Sequence, residues 1–179
     1  MIKMPVLKVS VLLFQTGIIV LFPITDLTMP SPKSLRARAL DILSRREISR
    51  VELKRKLTPY AESEEELERV LAEFAERNWQ SDERFAEAFV HSKSSRYGSL
   101  RLKQSLAAKG IDADTASEFL PDADSELETA IAVLRKKFKA PATDVKEKQK
   151  QLRFLTYRGF SAETVQKAMK QAWIEDNDM

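Results

Sequence analysis

The side chains best suited to chemistry in this sequence are basic residues at helical spacing, and the chemistry they suit is the binding of anions. The stretch Tyr97–Asp112 carries Arg101, Lys103 and Lys109, and residues 93–110 contain no acidic side chain. Lys and Arg that face phosphate groups neutralise them, which gives affinity that depends on salt and not on base sequence. Segregated charge of this kind favours an anionic partner or a charged protein surface.

The basic stretch has counterparts on both sides, which indicates an internal repeat. Leu53 and Leu57 precede Leu102 and Leu106 by 49 positions, and Leu155–Ser161 repeats the ending of the stretch at the same separation. Since the corresponding helix of each copy is basic, we favour a shared anion-binding face over simple solvation, the usual role of surface charges. The candidate face comprises Lys54, Arg55, Lys56, Arg101, Lys103, Lys109, Lys148, Lys150, Arg153 and Arg158.

Aromatic residues are interleaved with these basic residues and leave two interpretations open. Tyr97, Phe154 and Tyr157 could stack on the bases of a single strand, or they could be core or hinge residues. Base-specific reading of duplex DNA is less supported, because such a reader should present Asn, Gln and Arg on one exposed helix face, and usually a dimer seam.

The composition excludes most catalytic and metal sites. The chain has one histidine, His91, no cysteine, and four glycines that are far apart, so it offers no conventional zinc site, no thiolate chemistry and no phosphate-cradling loop. The carboxylates at 64–66, at 82–83 and at Glu126 and Glu128 lie in predicted first helical turns, where they offset helix dipoles. We predict a protein that is not an enzyme and has no cofactor.

The sequence predicts an all-α fold. Helix formers dominate, and 43% of the residues are hydrophobic. Capping residues divide the chain into three tandem three-helix units, resembling helix-turn-helix modules, at 34–80, 81–122 and 123–175. Such small units bury little surface alone, so they should pack on one another in an extended arrangement.

The predicted helix starts and buried positions define this arrangement residue by residue. The expected N-terminal capping residues are Ser34, Ser49, Ser63, Ser81, Ser99, Asp112, Ser125, Thr143 and Ser161. The expected core includes Leu35, Ala39, Leu67, Leu71, Phe74, Phe85, Ala88, Leu102, Leu106, Leu134, Val145, Leu152, Leu155, Val165 and Trp173.

Residues 1–33 differ from the rest of the chain. Val9–Phe22 is apolar for fourteen residues, which is short of the roughly 20 that a membrane-spanning helix needs. Our first interpretation is a mis-assigned start, with Met29 as the true initiator. The second is an apolar extension that packs on the body, and the third is a membrane anchor.

Four segments resemble the RecX family, the bacterial regulators of the RecA recombinase. These are Ser34–Leu57, Asn78–Val90, Tyr97–Asp112 and Phe154–Val165. The similarity extends from Ser34 to about Trp173, and the middle segments agree in both spacing and residue type. The apolar residues 1–28 and a more divergent third unit depart from the family pattern.

The resemblance implies an elongated, curved molecule of three tandem three-helix repeats that acts by binding. It implies that the protein binds RecA and its filament on single-stranded DNA, and limits ATP hydrolysis, strand exchange and co-protease activity in recombination, DNA repair and the SOS response. The family's basic surface then maps to Arg101, Lys103, Lys109, Arg153 and Arg158. A cytoplasmic monomer with weak, salt-dependent affinity for single-stranded DNA is expected.

Two other functions compete with this one. A helix-turn-helix protein that acts without RecA would bind one duplex sequence tightly. A membrane-tethered interaction module is supported by the apolar N-terminal segment alone.

Overall fold

The computed structural model describes residues 33–174, and this part of the chain is entirely helical apart from its turns. Nine α-helices follow one another here in three groups of three, and the predicted all-α fold is confirmed. None of these helices combines the length and the apolar character that crossing a bilayer requires. The predictions for Val9–Phe22 and Met29 lie outside the described residues.

The first unit consists of α1 (Leu35–Leu43), α2 (Arg50–Leu57) and α3 (Glu64–Glu76). Ser34, Ser49 and Ser63 cap these helices as predicted, each accepting a backbone N–H from the first turn. A 3-10 turn at Thr58–Tyr60 ends α2 where proline removes a backbone donor. The buried core of the unit is Leu35, Ala39, Ile48, Leu53, Leu57, Leu67, Leu71 and Phe74.

The second unit consists of α4 (Asp82–Lys93), α5 (Ser99–Ala107) and α6 (Ala113–Glu118). Ser81 and Asp112 cap α4 and α6 as predicted. The buried core is Phe85, Ala86, Val90, Leu102, Leu106, Ile111 and Ala116.

The third unit consists of α7 (Ala123–Lys137), α8 (Val145–Tyr157) and α9 (Ala162–Gln171). Ser161 caps α9 as predicted. The buried core is Ala130, Val133, Leu134, Leu155, Phe160, Val165, Ala168 and Ala172. Each unit therefore closes a core of its own, to which all three of its helices contribute, and its middle helix is α2, α5 or α8.

Three predicted capping residues were wrong, and in two of these cases an aspartate caps the helix. Asp122, not Ser125, caps α7, and Asp144, not Thr143, is the cap of α8, with its carboxylate accepting the N–H of Glu147. Asp competes equally with Ser at this position, so a neighbouring Asp can move the start of a helix away from the predicted residue.

Three predicted core positions were wrong. Ala88 is exposed and Ala86 is buried in its place, while Val145 and Leu152 of α8 are exposed. In α8 the position that shares the buried face with Leu155 is Gln151, four residues before it. Gln151 is accepted in the core because its Nε2 donates to the carbonyl of Ala140 at 3.2 Å.

The middle helices of the first and second units meet end to end. Ser49 Oγ, at the start of α2, donates to the carbonyl of Lys109, at the end of α5, over 2.7 Å. The backbone N–H of Arg50 donates to Asp82 Oδ1 at 2.7 Å. Gly110 turns the chain away from α5 with a φ of 82°. The positive end of one helix dipole thus meets the negative end of another.

The middle helices of the second and third units meet in the same register, 49 residues later. The backbone N–H of Gly98 donates to the carbonyl of Arg158 at 3.0 Å, and that of Leu100 donates to the carbonyl of Gly159 at 3.1 Å. Gly159 has a φ of 83°, matching Gly110. The internal repeat in the sequence therefore reflects a repeated junction as well as a repeated unit.

An acid from the following unit completes each junction. Glu126, which is buried, accepts the backbone N–H of Ser99 at 3.1 Å and the Ser99 hydroxyl at 2.8 Å, as Asp82 accepts the N–H of Arg50. Ser99 was expected to cap α5, but the cap position is Gly98, and the Ser99 side chain donates to Glu126 instead. These first-turn acids do more than offset the dipoles of their own helices, because they also satisfy helix starts in the preceding unit.

Candidate anion-binding surface

Arg101 lies in the junction between the second and third units. Its Nη1 donates to the carbonyl of Tyr157 at 2.9 Å, and its guanidinium lies 5.0 Å from the ring centroids of both Tyr97 and Tyr157. Planar guanidinium groups stack on aromatic faces while donating in their own plane. The side chain therefore links α5 to the end of α8.

Arg158 makes the reciprocal link. Its Nη1 donates to the carbonyl of Arg96 at 2.9 Å, and its guanidinium lies 4.8 Å from the ring centroid of Phe154 and 5.8 Å from that of Tyr97. Arg101 and Arg158, two of the ten predicted anion-binding residues, therefore use their planar faces and some of their N–H donors in contacts within the protein.

Lys109 occupies the corresponding place in the first junction. Its Nζ lies 3.6 Å from Glu52 Oε2 and 5.7 Å and 5.9 Å from the ring centroids of Phe85 and Phe89. Lys54 is also engaged, since it donates at 2.6 Å to both Glu64 and Glu68, and those bonds raise its pKa.

The other six predicted residues are exposed and make no ion pair with any residue in the range 33–174. We call this set the outer cations. The outer cations are Arg55, Lys56, Lys103, Lys148, Lys150 and Arg153. They lie on α2, α5 and α8, the middle helices of three consecutive units, which the repeated junction joins to one another. These residues are available to an anionic partner, while the junction residues hold the elements that present them.

The interleaved aromatic residues divide between the two interpretations. Phe154 is half-buried and packs edge-on against Phe138 at a centroid distance of 5.5 Å, so it belongs to the third core. Tyr97 is half-buried in the junction. Tyr157 is 76% exposed, with one face against Arg101. Of the three, Tyr157 alone presents its ring to solvent.

Glu52 is a nearly buried carboxylate at the first junction. Arg46 Nη2 donates to its Oε1 at 2.8 Å, opposite Lys109. Burial by itself raises the pKa of Glu52, but attraction to Lys109 and Arg46, the hydrogen bond from Arg46 and the charge of Lys56 outweigh burial and lower the pKa from 4.5. Sequence reasoning missed this residue because its partners lie in the next unit and before α2.

The stability that depends on Glu52 should disappear in acid. Because its pKa in the folded protein is lowered, the carboxylate stabilises fully above its ordinary value of 4.5, and the contribution disappears as the pH falls through the lowered pKa. We expect Glu52→Gln to lower the free energy of unfolding by about 1 kcal/mol at pH 7 and by much less at pH 3. Urea unfolding at the two pH values measures both differences.

Glu76→Gln is the matched control, since Glu76 is an exposed carboxylate on α3. Its small effect should be the same at both pH values. A Glu52→Gln difference that does not shrink in acid would show that the charge of Glu52 is not what stabilises the junction.

No group of three or more His, Cys, Asp or Glu side chains within residues 33–174 is arranged to hold a metal ion. His91 is exposed near the end of α4.

Comparison with known proteins shows that the second and third units match sequence-family models. Residues 81–120 match the model of the second three-helix domain of RecX, and residues 124–169 match the model of the third.

Curated relatives match most of the chain. Regulatory protein RecX of Neisseria meningitidis serogroup C is 68% identical over 148 residues, which are 83% of this chain and 97% of that protein. Regulatory protein RecX of Herbaspirillum seropedicae is 43% identical over 152 residues, 84% of this chain and 99% of that protein.

Solved structures agree with the fold. The crystal structure of RecX from Lactobacillus salivarius superposes with a TM-score of 0.70 at 20% identity, over 77% of this chain and 94% of that one. A second crystal structure of a regulatory protein RecX superposes with a TM-score of 0.68 at 22% identity, over 76% and 72% of the two chains.

Proposed function

Because this chain belongs to the RecX family of regulatory proteins, we propose that it binds the RecA recombinase and its filament on single-stranded DNA and limits RecA activity. The identity to regulatory RecX proteins over nearly their whole length carries this proposal. The RecA activities that it limits are ATP hydrolysis, strand exchange and co-protease action. Acting on RecA, the protein works in the cytoplasm, in recombination and DNA repair.

The outer cations provide the physical means of binding. Exposed Lys and Arg on consecutive middle helices attract a polyanionic surface and bind it less tightly as salt rises. A regulator of this kind needs no chemistry of its own. It shifts its partner between states by binding one of them more tightly than the other.

We propose that the active form is a monomer. Each unit in the described part of the chain closes its core with its own three helices, and consecutive units satisfy each other's helix ends. Affinity for free single-stranded DNA should be weak, since most of the binding energy comes from the protein partner.

The test is ATP hydrolysis by the cognate RecA on single-stranded DNA with this protein at sub-stoichiometric amounts. We expect the steady-state rate to fall by more than half at about one molecule per ten RecA, because a filament concentrates neighbouring sites and one bound regulator affects several of them. Filament lengths should shorten in the same samples when imaged by electron microscopy.

Two outcomes contradict the proposal. An unchanged ATPase rate and unchanged filament length would remove RecA as the partner. Tight binding to a single duplex sequence in the absence of RecA would instead support a helix-turn-helix DNA-binding protein.

A further inference from the structure

The third unit contains a groove of about 560 Å³ between α8, α9 and the loop before α8. Its lining is mainly apolar. The residues that form its walls and floor include Pro141, Ala142, Leu152, Val165, Met169 and Trp173. Concave apolar surfaces of this size are where proteins take up small molecules or side chains of a partner.

One substitution between the repeats opens the floor of the groove. Leu152 lies 49 positions after Lys103, which in turn lies 49 positions after Lys54. The two earlier units thus carry a lysine where the third carries a leucine, and that leucine is 42% exposed. An exposed leucine at a position that is otherwise charged is a feature of the third unit and not of the repeat.

An extra turn of helix builds the wall. In the second unit α6 ends at Glu118, and Pro121 follows it. In the third unit Lys170 stands at the position of Pro121, and α9 continues through Gln171. Proline cannot continue a helix, so its replacement allows the added turn that brings Met169 and Trp173 to the groove.

Charge and hydrogen-bonding capacity restrict what the groove can take. Lys148 and Lys170 belong to its lining, and no acidic residue does. Gln151, also in the lining, is 3% exposed. Two buried atoms of the lining, Gln151 Oε1 and Trp173 Nε1, have no hydrogen-bond partner within residues 33–174. One buried acceptor and one buried donor suit a peptide group, which offers an N–H and a C=O.

We propose that this groove binds a short extended segment of a partner protein in which an apolar side chain is flanked by acidic residues. The apolar side chain packs on Leu152 and Met169, and the acids lie near Lys148 and Lys170. The proposal goes beyond the regulation of RecA and does not depend on it, since it concerns a surface of α8 and α9 and a class of ligand.

The probe is a fluorescein-labelled peptide, Glu-Glu-Asp-Leu-Glu-Asp-Glu, titrated with the full chain and followed by anisotropy. Leu152→Gln should weaken binding about tenfold, because it removes the apolar floor without changing the charge. Leu100→Gln is the matched control, since Leu100 is an exposed leucine on α5, outside the groove. Its affinity should stay within about twofold of the unmodified chain.

A second pair of variants tests the charges. Lys148→Glu with Lys170→Glu should weaken binding about tenfold or more, since two attractions become repulsions. Arg45→Glu with Lys136→Glu changes the net charge equally at exposed positions outside both the groove and the outer cations, and it should leave the affinity within about twofold. Circular dichroism establishes that all four variants are folded.

Three results would overturn the proposal. In the first, Leu152→Gln and Leu100→Gln bind the peptide equally. In the second, a peptide with glycine in place of leucine binds as tightly, which would show attraction of charge alone. In the third, a chain ending at Ile174 binds markedly more tightly, which would assign the groove to the chain's own Glu175, Asp176 and Asp178. A RecA-independent readout keeps these results separate from the ATPase test.

Discussion

Gly98→Ala is expected to disrupt the junction between the second and third units and to lower the free energy of unfolding by about 3 kcal/mol, at the upper end for overpacking. A Cβ at Gly98 would meet the carbonyl oxygen of Gly159 and lie 2.5 Å from the backbone nitrogen of Phe160. Backbone atoms cannot rotate away as a side chain can. The junction must open, and the hydrogen bonds from Gly98 and Leu100 to the end of α8 then break.

The conformation of Gly98 makes this substitution a clean probe. Its φ is −78°, which alanine adopts freely, so the effect comes from the steric clash and not from backbone strain. Urea unfolding gives the decrease in stability, and amide hydrogen exchange at 98 and 100 reports the junction directly. Unchanged exchange at these two amides would contradict the expected opening.

Gly110→Ala in the first junction is the comparison. Gly110 has a φ of 82°, where a side chain is strained, and a Cβ would meet the side chain of Val51. Val51→Ala removes the nearest clashing atom, Val51 Cγ2, while Val51 Cβ stays 2.9 Å away, so the double variant should recover part of the stability that Gly110→Ala removes. Gly98→Ala has no such rescue, because its neighbours are main-chain atoms.

Position 98 cannot be predicted to need glycine from the repeat alone. The equivalent position in the first unit is Ser49, which is fully buried and uses its hydroxyl to reach the carbonyl of Lys109. In the second junction the backbone N–H of Gly98 reaches the carbonyl of Arg158 directly. The distance between the paired helix ends therefore differs between the two junctions. The spacing of residues along the sequence carries no information about that distance.

Local signals in the sequence were sufficient for the units themselves. The i, i+4 pairs Leu53–Leu57 and Leu102–Leu106 are fully or almost fully buried, as their spacing predicted. Ser34, Ser49, Ser63, Ser81 and Ser161 cap their helices because a hydroxyl before a helical run satisfies a free N–H whatever the rest of the fold does.

What could not be predicted depends on how units dock. Arg101 and Arg158 have the sequence context of surface cations, yet their guanidinium groups bond carbonyls 56 and 62 residues away. Gln151 has the character of a surface residue, and a carbonyl in the preceding loop makes it a core residue. Leu152 has the character of a core residue and lines an open groove. In each case the packing of neighbouring elements, and not the local pattern, decides where the side chain lies.

Charge reversal at three outer cations is expected to weaken binding to the RecA filament on single-stranded DNA by about tenfold or more at 0.1 M salt. The variant is Lys103→Glu, Lys150→Glu and Arg153→Glu, which alters exposed residues of α5 and α8 and leaves the bonds between units intact. Anisotropy of labelled filaments against salt concentration measures the effect. The slope of log affinity against log salt should fall by about 0.7 for each phosphate that the variant no longer neutralises.

A triple variant of equal net charge is the control. Arg45→Glu, Arg69→Glu and Lys136→Glu reverse three exposed cations that lie outside the middle helices, and binding should change by no more than about threefold. Equal decreases in affinity for the two variants would mean that net charge alone sets the affinity and that the outer cations are not the binding surface.

Arg101 needs a separate experiment, because its charge and its junction bonds are removed together by most substitutions. Arg101→Lys keeps the charge but cannot reproduce the planar stacking between Tyr97 and Tyr157. If Arg101 acts through the junction, Arg101→Lys should accelerate amide exchange at 98 and 100 and leave the salt slope of filament binding unchanged. Unchanged exchange at these two amides would contradict this role and would leave the charge of Arg101, which lysine retains, as its contribution to binding.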